Sequence, residues 1–150
     1  MQNLTTTLYK DINQIQKIIL PSFKAKFNWI DIQNIAETAA IILENFDNYK
    51  NQAYEITGDE NENLYKIQDL FREILNLNIK YQNTNPLRFY FIKKQDKVQV
   101  PMIMVMIMLH FLPRFQQEPK ISKFYEHLTN KKPTTIKQFL NREHLKLVNK

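Results

Sequence analysis

The sequence predicts an all-α protein: an N-terminal helical body over residues 1–98, followed by a basic three-helix module over residues 99–150. Three observations support this. Apolar residues recur at helical spacing in segment after segment, 150 residues contain a single glycine, and the net charge of +6 is gathered at one end. A chain poor in glycine is ill suited to tight β-turns, because the backbone conformations they need are cheap only for glycine. A content of 43% hydrophobic and 24% charged residues places the chain among folded proteins.

Residues 6–20 put Leu8, Ile12, Ile15, Ile18 and Ile19 on one helical stripe, with Thr5 to Thr7 as capping candidates and Pro21 as a stop. Residues 29–46 repeat the pattern through Ile32, Ile35, Ala39, Ile42 and Phe46. Residues 60–77 follow Asp59 and align Leu64, Ile67, Leu70, Phe71, Ile74 and Leu75. Between the last two lies NYKNQAYEITGDENEN, a polar connection holding the lone Gly58.

The next segment has two readings. Asn85 followed by Pro86 suits an N-cap and a first helical turn. RFYFI alternates like a strand and could pair with VQVPMIMV in a hairpin whose Pro101 confines it to an edge. The helical reading is preferred. VPMIMVMIMLHFLPRF, residues 100–115, contains ten consecutive apolar residues from Val100 to Leu109, about half the length a membrane-spanning helix needs. It reads as a helix begun at Pro101 and covered on every side, its methionines filling gaps in a core. No membrane partner is expected.

Residues 1–109 carry 12 Lys and Arg against 12 Asp and Glu, whereas residues 110–150 carry 9 against 3. A neutral body with a basic end is the electrostatic footprint of polyanion binding. Within that end, Ile121, Phe124, Tyr125 and Leu128 share one helical face, TNKK forms a turn, and Pro133 opens a second helix. Ile136, Phe139, Leu140 and Leu147 project together, leaving Thr134, Lys137, Gln138, Asn141 and Arg142 on the opposite side. Asn and Gln suit adenine edges, and Arg and Lys suit guanine edges or phosphates. The expected DNA-binding set is therefore Lys131, Lys132, Thr134, Lys137, Gln138, Asn141, Arg142 and Lys146.

KISKFYEHLTNKKPTTIKQFLNR resembles the second and third helices of Myb, SANT and homeodomain-like helix-turn-helix modules. Ile121 stands at the tryptophan position, Leu128 closes the helix, and Asn130, Lys131 and Pro133 match the turn. Lys132 replaces the usual capping threonine, and the family's tryptophans are missing. With its Asn- and Gln-rich composition, the chain also resembles the small homeobox-like accessory subunit of the ciliate DNA N6-adenine methyltransferase complex. That resemblance implies a non-catalytic nuclear subunit that binds DNA and other protein subunits of a hetero-oligomeric complex. The alternative is a structural helical subunit of a ciliary or mitochondrial assembly, without nucleic-acid binding.

No catalytic residue, cofactor site or metal site is expected. His110, His127 and His144 lack metal-ligand spacing and read as surface or cap residues. There is no cysteine, no nucleophile elbow and no glycine-rich phosphate loop. The opening MQNLTTTLYKDINQ has no basic and apolar leader pattern, so no secretory signal is expected.

Overall fold

The computed structural model describes residues 1–148. A short 3₁₀ turn (Gln2–Leu4) leads into α1 (Tyr9–Ile15), β1 (Lys17–Leu20) and β2 (Phe27–Asn28). Helices α2 (Ile32–Glu44) and α3 (Phe46–Tyr49) precede β3 (Asn61–Glu62), α4 (Leu64–Leu75) and β4 (Lys80–Asn83). The chain then runs through α5 (Pro86–Gln95), α6 (Val100–Phe111), a second 3₁₀ turn (Leu112–Phe115), α7 (Phe124–Thr129), α8 (Ile136–Arg142) and α9 (His144–Val148).

The all-α expectation is overturned by two small sheets. β1 and β4 pair in parallel, Ile18 opposite Tyr81 and Leu20 opposite Asn83, while β2 and β3 pair antiparallel. The helix expected over residues 6–20 ends at Ile15, because Gln16 turns left-handed (φ 51°) and its N–H closes on the Asp11 carbonyl. Ile18, Ile19 and Leu20 are then buried in succession, so both faces of β1 are covered, as in parallel strands packed by helices. Such a run cannot be told from a helix end by periodicity alone. At the end of α4, Asn76 is likewise left-handed (φ 53°), and the chain returns through Ile79 to β4.

Capping explains where the helices start. The Asp31, Asn63 and Asn85 side chains accept hydrogen bonds from the backbone N–H of Gln33, Lys66 and Arg88. Thr135 and Gln138 form a reciprocal capping box on α8. α5 and α6 are both helices, so the hairpin reading of this region is excluded. α6 is not covered on every side, however. Ile103 and Met106 are buried, while Met104, Val105, Met108 and Leu109 are exposed.

The homeodomain-like arrangement is also overturned. α6 packs on α5, α7 on α2 and α8 on α4, in place of a separate three-helix bundle. Ile136, Phe139, Leu140 and Leu147 join Ile12, Ile67, Phe71 and Phe89 in one buried cluster. The last two residues of the expected module, 149 and 150, lie outside the described residues.

Candidate functional site

The carboxyl ends of parallel strands are where α/β sheets receive ligands. At the end of β1, Leu20 forms one wall of a cleft of about 270 Å³. Phe27 and Asn28 of β2, Trp29 beyond it, Leu64 at the start of α4, and Leu109 and His110 at the end of α6 supply others, and Met1, Asn3 and Leu8 of the N-terminal segment complete the lining. A polar frame holds the Trp29 wall in place. The Trp29 indole N–H donates to the Glu62 carbonyl (2.9 Å), and the Asn28 side chain exchanges two hydrogen bonds with Gly58, at 2.6 and 3.1 Å. Gly58 is required for its lack of bulk. A Cβ there would lie 1.9 Å from the Trp29 carbonyl oxygen.

His110 faces the cleft and packs against Phe27 at 5.7 Å between ring centroids. Its Nδ1 lies 2.7 Å from the Met106 carbonyl, a geometry in which Nδ1–H donates and Nε2 is left as the acceptor. Burial pushes the imidazole below its ordinary value, partly offset by that bond, so His110 is neutral near pH 7. A neutral imidazole in a cleft of mixed aromatic, aliphatic and amide walls can accept a hydrogen bond from a small ligand and orient it. His110 is thus half-buried and not a surface residue, while its bond to Met106 in the last turn of α6 keeps the cap reading.

A second chemically suggestive pair is closed to ligands. Tyr81 Oη lies 2.9 Å from Ser22 Oγ and also donates toward the Leu20 carbonyl, but both residues are buried, and burial raises the phenol. The pair fastens the ends of β1 and β4 together.

The residues expected to contact DNA are mostly engaged within the chain. Lys131 pairs with Glu37 (2.9 Å), Lys137 with Glu73 (2.8 Å) and Lys146 with Glu143 (2.6 Å). Arg142 reaches Asp31, which is fully buried, at 2.7 Å and also pairs with Glu143. Thr134 donates its backbone N–H to the Asn34 side chain, and Gln138 is committed to the capping box. Lys132 and Asn141 are exposed. Lys131, Lys132, Thr134, Gln138 and Arg142 do meet around one open hollow, with Glu37 and Tyr125 on its other side. Of the cations that were to face phosphates, Lys131, Lys137, Arg142 and Lys146 pair with carboxylates of α2 and its cap, α4 and the α8–α9 junction, and Lys132 pairs with none among the described residues.

Comparison with solved structures identifies the architecture. The NADP(H) complex of Citrobacter sp. triphenylmethane reductase superposes with a TM-score of 0.75 at 13% identity, over 86% of this chain and 45% of that one. The NADPH-dependent quinone oxidoreductase QOR2 of Escherichia coli gives 0.76 at 14% identity, over 93% and 50%. A nucleoside-diphosphate-sugar epimerase of Staphylococcus aureus gives 0.71 at 20% identity, over 90% and 47%. The likeness is one of fold, and the chain spans about half the length of each of these structures. No protein-family model matches it, and no curated protein matches it by sequence.

These likenesses correct the homeodomain-like reading and the DNA-binding accessory subunit built on it, and with them the separate alternative of a helical structural subunit. The chains that share this fold are described as enzymes acting on small molecules, which also overturns the expectation of a non-catalytic protein with DNA and other subunits as partners.

The dinucleotide phosphates do not fit the residues present. Their usual cradle is a glycine-rich turn between a strand and a helix N-terminus. The one glycine, Gly58, is instead pressed against Trp29 with its backbone held by Asn28. Among the described residues there is no cluster of His, Asp and Glu suited to a metal ion, and no helix is long and apolar enough to cross a membrane.

Proposed function

We propose that this chain is the substrate-side part of a reductase- or epimerase-type enzyme. In this reading the cleft between β1, Trp29 and His110 takes a small, largely apolar ligand with a carbonyl or hydroxyl group. The phosphates of a dinucleotide would be held by polypeptide outside these 150 residues. The observation that carries the reading is the position of the cleft at the carboxyl end of a parallel strand, with one neutral imidazole and the Asn3 and Asn28 amides among aliphatic and aromatic walls. The fold likeness to enzymes described as acting on quinones, triphenylmethane dyes and nucleotide sugars supports it. Within the cleft, His110 binds and orients the polar group, while Phe27, Trp29 and Leu109 exclude water from it.

Trp29 is the only tryptophan, so its fluorescence reports the cleft directly. Titration with menadione, a naphthoquinone, is expected to quench it saturably, and His110→Phe, which fills the cleft, is expected to abolish the saturable part. NADPH is expected to show no saturable binding to the chain alone. Quenching by menadione that is linear, or unchanged in H110F, would remove the proposal.

A further inference from the structure

A second cleft, of about 410 Å³, lies on the other side of the loop leaving β1, between residues 23–26 and 113–118. Its floor carries an unusual cost. Phe23 is left-handed (φ 52°), a conformation that a bulky side chain adopts only when its surroundings impose it. Among the described residues the other positive-φ positions are Gln16, Asn51, Asn76, Lys97 and Asn130, so Phe23 is the one aromatic in that region of backbone space. The Phe23 N–H is fixed by the Asn83 side chain at 2.9 Å, and its ring is left 45% exposed.

Opposite stands Arg114. Its guanidinium lies 5.4 Å from the Phe23 ring centroid, 4.9 Å from Phe111 and 5.7 Å from Phe115, which is itself 74% exposed. Among the described residues Arg114 pairs with no carboxylate. The one carboxylate lining the cleft, Glu118, is taken by Lys26 at 2.8 Å, and Lys24 lies 5.9 Å from the Phe23 ring. The cleft thus combines exposed aromatic faces with two uncompensated cations. A guanidinium oriented by aromatic rings is a planar fork that suits a carboxylate or sulfonate, and the rings suit a flat π-system.

We propose that this second cleft binds a planar aromatic ligand bearing an anionic group, stacked against Phe23 and Phe115 with its anion on Arg114. The strain at Phe23 is held in place to present that ring. The site stands apart from the His110 cleft and does not rest on the reductase reading.

The test is isothermal titration of the full chain with anthraquinone-2-sulfonate, alongside neutral 2-methylanthraquinone and inorganic sulfate. The sulfonate is expected to bind saturably and at least tenfold more tightly than either control. Arg114→Gln and Phe23→Gly are each expected to weaken it at least tenfold, while His110→Phe leaves it unchanged. Glycine relieves the left-handed backbone, so F23G is expected to melt no lower than the parent chain. Binding that survives R114Q, that is matched by the neutral quinone, or that disappears with H110F would overturn the proposal. So would an F23G variant that melts several degrees lower with its affinity intact.

Discussion

Replacing Gly58 with alanine is the most direct perturbation of the wall that shapes the His110 cleft. The added Cβ would sit 1.9 Å from the Trp29 carbonyl oxygen and 2.7 Å from its carbonyl carbon, where contacts under 3.0 Å are essentially never found. Both neighbours are backbone, so relief requires the 58–60 segment and Trp29 to separate by about 1 Å, since buried backbone relaxes only partly. That movement stretches the 2.6 and 3.1 Å bonds between Gly58 and Asn28 beyond useful geometry. Two such bonds contribute about 1 kcal/mol each, and overpacking adds about 1 kcal/mol, so G58A should destabilise by about 3 kcal/mol. For a chain of this size that corresponds to roughly 10 °C in Tm. Urea unfolding followed by Trp29 fluorescence measures it, and menadione quenching should weaken in parallel. A loss below about 0.5 kcal/mol, typical of a bland surface site, would refute the close-approach reasoning.

Other outcomes follow from the charged residues. His110 is held below its unfolded value, so its contribution to stability is complete above about pH 6.5 and falls as pH drops toward its folded value; His110→Gln should flatten the stability profile in that window. Burial raises the Asp31 carboxyl, but the Arg142 guanidinium 2.7 Å from it and hydrogen bonds from the Gln2 side chain and the Gln33 N–H outweigh it and hold the group below its ordinary 3.8, so its stabilisation is present above that pH and lost on further acidification. Arg142→Ala strands that buried carboxylate and should cost about 2 kcal/mol in denaturant unfolding, with greater acid sensitivity. Lys93 and Asp11 form a buried pair at 2.6 Å between α5 and α1. Lys93→Ala should destabilise by about 3 kcal/mol, whereas Lys93→Met with Asp11→Leu should come close to the parent, and equal losses in both variants would contradict this reading.

The helices were readable where side-chain chemistry marks their starts. Asn85 before Pro86 opens α5, and the 136, 139, 140 and 147 spacing matches residues that are buried. The strands were not readable. KIIL continues the apolar run of α1, and only the left-handed Gln16, a residue type with no special signal for that conformation, breaks it. β4 follows the same device at Asn76, a residue better known as a left-handed cap, which was the one available hint. The basic end misled for a physical reason. Formal charge says nothing about pairing, and Glu37, Glu73 and Asp31, which answer Lys131, Lys137 and Arg142, lie 64 to 111 residues upstream. The His110 cleft has no signature in the sequence because its walls come from β1, β2, α4 and α6, and a lone histidine at the end of an apolar helix carries no motif. The chain spans about half the length of the structures that it resembles.

If the cleft at the end of β1 is a small-molecule site, amide chemical-shift mapping with menadione will show it residue by residue. The Trp29 indole N–H and the amides of Phe27, Asn28, Leu109 and His110 should move saturably together, with residues 131–146 unmoved. An indole signal that stays in place at saturating quinone, or shifts scattered along α8, would contradict it.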